Sequence, residues 1–266
     1  WHRVTVGLWG ESEGRQYRSS GHRLKLSGDP CFSTNQRQVQ DTTGTRAFET
    51  IEEVVLTSAD LTNRSLVIAP PLAGSSAVTA VAYIRCEPLS DAEVKVIEHD
   101  RRRTDCRRLI AYNDGLSFMS GSKMGGWEKE QFWEMIEPYR YSDVESLYWG
   151  LLGDVTTFPT NVGTMLSGPG AEEVESINSR GINPLVTSLE YAQKIGLKFY
   201  IYQRMGAWED PFPIDMWKSE FVRSHPEFRC VSKEGIPNPR LSYAFPEVRS
   251  YQADLLSEVA EYGVDG

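Results

Sequence analysis

The feature that most constrains the fold is a repeated change of hydrophobic rhythm along residues 109–266. Short apolar runs, "RRLIAYNDG", "ESLYWGLLGD" and "LKFYIYQRM", alternate with segments whose apolar residues recur every three or four positions. The short runs are typical of buried strands, and the longer spacing is typical of amphipathic helices. This alternation predicts parallel βαβ units, because parallel strands need a crossover between them.

The helical segments carry their own boundary signals. The segment "GWEKEQFWEMIEPY" places its apolar residues on one stripe. In "NPLVTSLEYAQKIG", Asn183 is the predicted cap, Pro184 the first helical residue and Gly196 the stop. A third helix is predicted over residues 249–262, and Gly263 is well placed to end it in a left-handed conformation.

Residues 1–98 have a different rhythm, with no helical period. Short runs rich in Val, Ile, Thr and aromatic residues are separated by Gly, Pro, Ser, Asn and Asp. Short strands with regular turn signals predict an antiparallel β-sandwich-like domain. Residues 99–108, which include the basic run "RRRTDCRR", are interpreted as a linker.

Two architectures fit the βαβ units, an open doubly wound sheet and a closed barrel. No G-x-G-x-x-G follows the first strand and no G-x-x-x-x-G-K-S/T occurs, which removes the main support for a nucleotide-binding open sheet. The loops after the strands are long and aromatic, as in barrel active sites. The predicted fold is therefore multidomain β plus α/β. An antiparallel β-sandwich is followed, over residues 109–266, by the first half of a (β/α)8 barrel that stops at its fourth strand.

Bulk properties exclude several partners. The net charge of −9 argues against a nucleic-acid partner, because phosphate backbones need clustered Lys and Arg. No apolar run approaches the roughly 20 residues that span a bilayer, so no membrane partner is predicted. His225 has no second histidine at ligand spacing, and neither a metal nor another cofactor is predicted.

The last segment, "HPEFRCVSKEGIPNPRLSYAFPEVRSYQADLLSEVAEYGVDG", resembles the family-10-like glycosyl hydrolase group of glycosyl-hydrolase-like barrels. In that group a helix that starts with a PEVR-like sequence precedes a fourth strand that contains a DG pair. The resemblance implies a carbohydrate substrate and acid/base catalysis by two carboxylates. It also implies that the proton donor follows the fourth strand, so we expect the catalytic pair beyond residue 266.

The chain opens on a strand-like run without Met and ends inside a predicted strand, so we expect both ends to continue in a longer parent protein. An exported or cell-surface location is weakly favoured for that parent. An open half-barrel has an unpaired edge, and we expect the isolated chain to be inactive and prone to aggregation. The oligomeric state stays open.

Two kinds of residue are candidate substrate ligands: polar residues at the carboxyl ends of the predicted strands, because strand ends face the ligand in barrels, and tryptophans whose flat apolar rings can stack on a sugar. These candidates are Asn113, Asp114, Trp149, Asp154, Gln203, Arg204 and Trp208. Each has a structural alternative. For Asn113 and Asp114 it is an Asn-Asp-Gly turn, and for Asp154 it is a cap or solvent exposure. For Gln203 and Arg204 it is an ion pair that supports the loop, and for the tryptophans it is core packing. Asp265, at the start of its strand, is predicted to pair with Arg249.

Three classes of function remain open. The first is a glycoside hydrolase that acts on a polysaccharide or oligosaccharide. The second is a non-catalytic carbohydrate-binding protein with a degenerate barrel. The third, a metal-dependent deacetylase or a Schiff-base aldolase, has little support, because there is no H-x-H and no lysine predicted to point into the barrel.

Overall fold

The computed structural model describes residues 1–13, 16–18, 20–37, 48–69, 80–117, 119, 127–205 and 219–266. The chain forms two compact units. The β unit consists of Trp1–Cys106 with Trp133–Ser142, and the α/β unit consists of Arg107–Phe132 with Asp143–Gly266.

The β unit contains two antiparallel sheets. Its strands are β1 (His2–Glu13), β2 (Gln16–Arg18), β3 (Ser20–Leu26), β4 (Ser33–Arg37), β5 (Phe48–Ala59), β6 (Leu66–Ala69) and β7 (Val81–Pro88). In one sheet β1 pairs with β2, β5 and β7, and in the other β3 pairs with β4 and β6. Val6, Leu8 and Leu24 form a buried cluster, because alternate residues of each strand point to the same side.

A helix crosses the predicted domain boundary. Helix α1 (Asp91–Arg102) begins inside the range predicted to be all-β and ends inside the predicted linker. Its start is fixed by a capping box, in which the Ser90 side chain accepts from the Glu93 N–H and the Glu93 carboxylate accepts from the Ser90 N–H. No residue of α1 is buried, and its few apolar residues lie close together at positions 92–97, where they also fit a short strand. The prediction that residues 1–98 contain no helix is therefore wrong.

The α/β unit is built around a parallel sheet. Its elements, in chain order, are β8 (Leu109–Asn113), α2 (Lys129–Ile136), β9 (Val144–Leu151), β10 (Val155–Thr156), β11 (Thr164–Met165), α3 (Glu172–Ser179), α4 (Pro184–Lys194), β12 (Lys198–Gln203), α5 (Glu220–Ser224), β13 (Arg229–Val231), β14 (Pro237–Leu241) and α6 (Pro246–Ala260). Strands β8, β9 and β12 lie side by side in chain order and are parallel. The second half of α2 and the 3-10 turn Glu137–Tyr139 belong to the β unit.

Residues 264–266 lie alongside β12, where the sequence predicts a fourth strand. The Asp265 N–H donates to the Phe199 carbonyl at 2.8 Å, and the Ile201 N–H donates to the Gly266 carbonyl at 2.8 Å. The Asp265 carboxylate accepts from the Phe199 N–H at 2.7 Å. Arg249 donates to the backbone carbonyls of residues 243 and 244, so the predicted Asp265–Arg249 pair is not formed.

The predicted helix boundaries agree with the structure at α4. The Asn183 side chain accepts from the N–H groups of Leu185 and Val186, and Gly196 has a φ of 77°. Helix α6 starts at Pro246, three residues before its predicted range. The described residues thus contain antiparallel sheets and two parallel sheets, the three-stranded one and the β10–β11 pair, but form no closed barrel, and the half-barrel description stays a prediction.

Within the described ranges, no helix combines the length and the apolar character needed to cross a bilayer.

Candidate functional site

The parallel sheet has one face that is packed against the rest of the α/β unit. Ala111, Leu147 and Phe199 are neighbours in register across β8, β9 and β12, and all three are buried. Helix α4 contacts β12. This face is an apolar core, which is what strands in a βαβ unit need on their helix side.

The opposite face carries a row of aromatic side chains. We call it the tyrosine face, and it consists of Tyr112, Tyr148, Tyr200 and Tyr202. Tyr112 is 56% exposed and the other three are half-buried. The rings of Tyr112 and Tyr202 are 4.6 Å apart between centroids, and those of Tyr148 and Tyr200 are stacked at 5.0 Å.

None of these four tyrosines was among the candidates from sequence. A signal was nevertheless present, because each of the three strands carries a tyrosine and β12 carries two at alternate positions, in "LIAYN", "VESLYWGL" and "KFYIYQ". Side chains two residues apart share a face, so "YIY" predicts two rings on one side of the sheet. The Tyr202 hydroxyl is buried and has no hydrogen-bond partner among the described residues.

The loop after β8 crosses closely over β9 at Gly150. A Cβ at Gly150 would lie 2.7 Å from the Asp114 carbonyl oxygen and 2.8 Å from the Tyr202 ring. Gly115 has a φ of 76°, and a Cβ there would lie 2.4 Å from the Gly150 carbonyl oxygen. Two glycines are therefore needed for the loop to sit next to the tyrosine face.

Asn113 and Asp114 adopt the turn conformation that was their structural alternative. The Asn113 side chain accepts from the Gly115 N–H at 2.8 Å, and one Asp114 oxygen accepts from the N–H groups of Leu116 and Ser117. Burial alone would raise the pKa of Asp114. The hydrogen bonds from the Ser117 side chain and from both N–H groups lower it by more, and the positive charge of Arg204 lowers it further. The net effect lowers the pKa, so Asp114 is an anion at neutral pH.

Asp154 lies in a very different environment just beyond β9. Its side chain is wholly buried, and neither carboxylate oxygen has a hydrogen-bond partner among the described residues. Burial raises the pKa of Asp154 to about 7, although the backbone groups of Asp154 and Ser219 oppose the shift. An unpaired buried carboxyl is less costly when it is neutral, which is why the proton is retained.

Gln203, at the end of β12, lies beside this segment. Its Nε2 donates to the Gly153 carbonyl at 2.9 Å and to the side-chain oxygen of Gln252 on α6. The remaining amide atoms, Oε1 of Gln203 and Nε2 of Gln252, are buried without a partner in the described part of the chain. The hydroxyl of Tyr251 donates to the Asp154 backbone carbonyl at 3.2 Å. The structure thus brings together two predicted candidates, Gln203 and the segment that carries Asp154.

The other candidates are separated from this cluster. Trp149 is wholly buried on the helix side of the sheet, where its ring stacks on Phe199 at 5.9 Å, so it belongs to the core and offers no open face for sugar stacking. Arg204 is exposed and near enough to Asp114 to lower its pKa. Trp208 lies outside the described residues.

Chemically, the tyrosine face offers aromatic rings, and a separate cluster of buried polar groups lies on the helix side of the strand ends. Rings provide flat apolar surfaces, and amide and carboxyl groups provide hydrogen bonds in both directions. Among the residues that the structure describes, no three side chains of the metal-binding types His, Cys, Asp and Glu come together.

Comparison of the chain with models of known protein families and with curated proteins found no match.

Proposed function

We propose that the α/β unit binds a carbohydrate on its tyrosine face, as part of a glycoside-hydrolase-like barrel protein that acts on a polysaccharide or oligosaccharide. The observation that carries this proposal is the row of exposed and half-buried tyrosine rings on one face of the parallel sheet. Tyrosine rings stack on the C–H faces of sugars, and their hydroxyls bond to sugar hydroxyls.

The order of the strands supports the barrel part of the proposal. Strands β8, β9 and β12 follow one another in chain order, and residues 264–266 come next. A doubly wound sheet reverses this order at a switch point, whereas a barrel adds each new strand at the same edge. In a barrel, the face that points away from the helices is the interior, and Tyr112 and Tyr202, one residue before the ends of β8 and β12, lie at the carboxyl ends of the strands, where barrels bind their ligands.

The polar cluster near the strand ends does not face the ligand proposed here. Gln203 is in register with the buried Leu151, on the helix side of the sheet, and Asp154 and Gln252 are buried. The proposal therefore assigns the hydrogen bonds to sugar hydroxyls to the tyrosine hydroxyls, which both donate and accept.

A second candidate function is carbohydrate binding without catalysis. Glycoside cleavage needs two carboxylates that flank the bond. The Asp114 carboxylate accepts three hydrogen bonds inside its turn, and Asp154 is wholly buried. Neither is presented to a glycosidic bond, so hydrolysis requires carboxylates other than these two.

The test measures binding and turnover on the same samples. The full chain is titrated with cellopentaose, xylopentaose, chitopentaose and maltopentaose by calorimetry, and product release is followed by chromatography. We expect binding to at least one sugar, and we expect Tyr112→Ala to weaken it about threefold to tenfold. Tyr83→Ala, which removes an exposed tyrosine of the β unit, is the control and should leave binding unchanged.

Each outcome decides between the two candidates. Binding together with release of shorter sugars supports the hydrolase, and binding without release supports the non-catalytic protein. If none of these sugars binds, or if the two tyrosine variants bind equally well, the tyrosine face is not a carbohydrate site.

A further inference from the structure

The β unit contains a cavity of about 260 Å³ that is independent of the tyrosine face. Its walls come from β3, β5, α1 and the chain that follows α2. The residues that decide its chemistry are Lys25, Asp29, Arg101, Glu137, Arg140 and Tyr141. The volume lies just below the range of about 300–1,000 Å³ that is usual for drug-sized ligands, which favours a smaller molecule.

Both carboxylates in the cavity wall already form ion pairs with arginines. Asp29 accepts from Arg64 through one oxygen and from the Leu26 N–H, at 3.0 Å, through the other. Both oxygens of Glu137 accept from Nε of Arg140 at 2.9 Å. These two ion pairs contribute no net charge to the cavity.

Two cations in the wall have no such compensation. The Lys25 ammonium lies 4.7 Å from the centre of the Phe32 ring. Arg101 donates to the Ser58 carbonyl at 2.8 Å and lies 4.9 Å from the centre of the Tyr141 ring. Within the part of the chain that the structure describes, neither forms an ion pair with a carboxylate. A positive cavity in a chain of net charge −9 selects an anion.

The cavity wall is held in place by the fold of the β unit. Arg23 on β3 forms a two-pronged ion pair with the buried Glu134, which fixes the segment that continues to Tyr141. Tyr141 has a φ of 61°, a backbone conformation that costs of order 1–3 kcal/mol for a bulky residue and is concentrated at functional sites. Its ring is exposed, and its centre lies 4.9 Å from the Arg101 guanidinium and 5.7 Å from the Arg140 guanidinium.

We propose that this cavity binds a small hydroxylated carboxylate. Lys25 and Arg101 would bind the carboxylate, since an arginine fork matches its two oxygens and the ammonium adds a point charge. The hydroxyls of Ser33 and Thr57 also line the cavity and would bond to the hydroxyl groups of the ligand. A free hydroxy acid and the acidic unit of a sugar share this chemistry.

The experiment titrates the full chain with D-glucuronate, malate, glucose and inorganic phosphate. We expect glucuronate or malate to bind, and we expect Lys25→Gln and Arg101→Gln each to weaken that binding about tenfold to a hundredfold, as for the loss of a charge-assisted hydrogen bond. Stronger binding of glucuronate would identify a sugar acid as the source, and stronger binding of malate a free hydroxy acid. Glucose, which lacks the carboxylate, should not bind at this cavity.

Two matched variants keep the result interpretable. Lys95→Gln and Arg102→Gln change exposed cations of α1 that do not line the cavity, and both should bind like the unchanged chain. Arg101→Lys keeps the charge without the fork and should bind with intermediate affinity, which separates loss of binding from loss of folding. The proposal is wrong if neither carboxylate binds at about 10 mM, if the cavity variants bind like the controls, or if phosphate binds more tightly than both carboxylates.

Discussion

The two faces of the parallel sheet are made by the same three strands, yet they differ in almost every physical property. On the helix side, Leu147, Trp149 and Phe199 are buried, and the rings of Trp149 and Phe199 stack. On the other side, Ile110 is 65% exposed and Tyr112 is 56% exposed. A sheet in which only one face is packed either meets water on the other face or keeps that face for a partner.

The residue types show which of these applies. A face that meets only water would carry mostly charged residues, but this one, apart from Lys198 at the start of β12, carries four tyrosines and an isoleucine. Tyrosine has an apolar body and a polar end, and it is enriched at surfaces that bind ligands. The difference between the two faces therefore fits one face that is packed against the unit and another that contacts a partner, which we propose is a carbohydrate.

The largest expected effect compares two neighbouring residues of β12. Phe199→Ala removes a buried ring and should lower the free energy of unfolding by about 3–5 kcal/mol. Tyr200→Ala, one position along and on the opposite face, should lower it by about 1 kcal/mol, because that ring is only half-buried. Urea unfolding of both variants measures the difference. Equal losses would mean that the tyrosine face is packed as well as the helix face.

The next effect is a pH dependence that comes from Asp154. Its pKa in the folded state is about 7, well above the usual value, so the folded chain holds a proton that the unfolded chain has released. Stability should therefore fall as the pH rises from about 4 to 7, by roughly 2–4 kcal/mol. Asp154→Asn keeps the shape without the charge and should be more stable than the unchanged chain at pH 8.

Asp114 provides the matched control for this effect, because its pKa is lowered and not raised. Its contribution to stability is present at neutral pH and is lost as the pH falls through the lowered value. Asp114→Asn should therefore be less stable at neutral pH, opposite in sign to Asp154→Asn. Thermal unfolding at pH 5 and pH 8 compares the pair. If both substitutions shift stability in the same direction, the difference in burial between the two carboxyls does not determine their contributions to the free energy of unfolding.

A smaller effect is expected at Gly150, where the loop after β8 crosses the tyrosine face. Gly150→Ala places a methyl group against the Asp114 carbonyl and the Tyr202 ring and should cost about 1–3 kcal/mol. It should also weaken sugar binding, because Tyr202 must move. Ser146→Ala, on the same strand and the same face, adds no atoms and should change stability by less than about 1 kcal/mol. Stability and sugar binding that stay unchanged in Gly150→Ala would show that the crossing is looser than the structure has it.

The smallest effect on stability is expected for Ile110→Lys, which should change the free energy of unfolding by less than about 0.5 kcal/mol because the side chain is exposed. The substitution should nevertheless reduce self-association, since it places a charge on the exposed edge strand β8. Light scattering against concentration measures this. If Ile110→Lys and the unchanged chain self-associate equally, the tyrosine face and its edge strand are not the cause of aggregation.

The sequence was sufficient to predict the parallel strands and the ends of α4. Strands flanked by helices are apolar on both sides, and Asn183, Pro184 and Gly196 are local signals that act through one or two hydrogen bonds. α1 was missed although its sequence carries a capping box, acidic residues in its first turn and basic residues in its last. Its few apolar residues lie close together at positions 92–97 and none of them is buried, so the segment also fits the short strands that precede it.

The candidate site was predicted only in part, for a geometric reason. Strand-end position suggested Gln203, and the capacity of its ring to stack on a sugar suggested Trp149, but neither argument says which face of the sheet a side chain points to. Trp149 shares its face with Leu147 and is therefore buried, whereas Tyr148 and Gly150 are on the other face. The partner of Gln203, Gln252 on α6, is 49 residues away in sequence, and no local pattern predicts that contact.

The central claim is that the tyrosine face is a carbohydrate-binding surface, and ring resonances of the individual tyrosines test it directly. The full chain, with labelled tyrosine rings, is titrated with the pentasaccharide that binds most tightly in calorimetry. We expect the resonances of Tyr112, Tyr148, Tyr200 and Tyr202 to shift, while those of the buried Tyr191 and Tyr251 stay in place. A sugar that binds without shifting any of the first four, or that shifts only the buried pair, would contradict the claim.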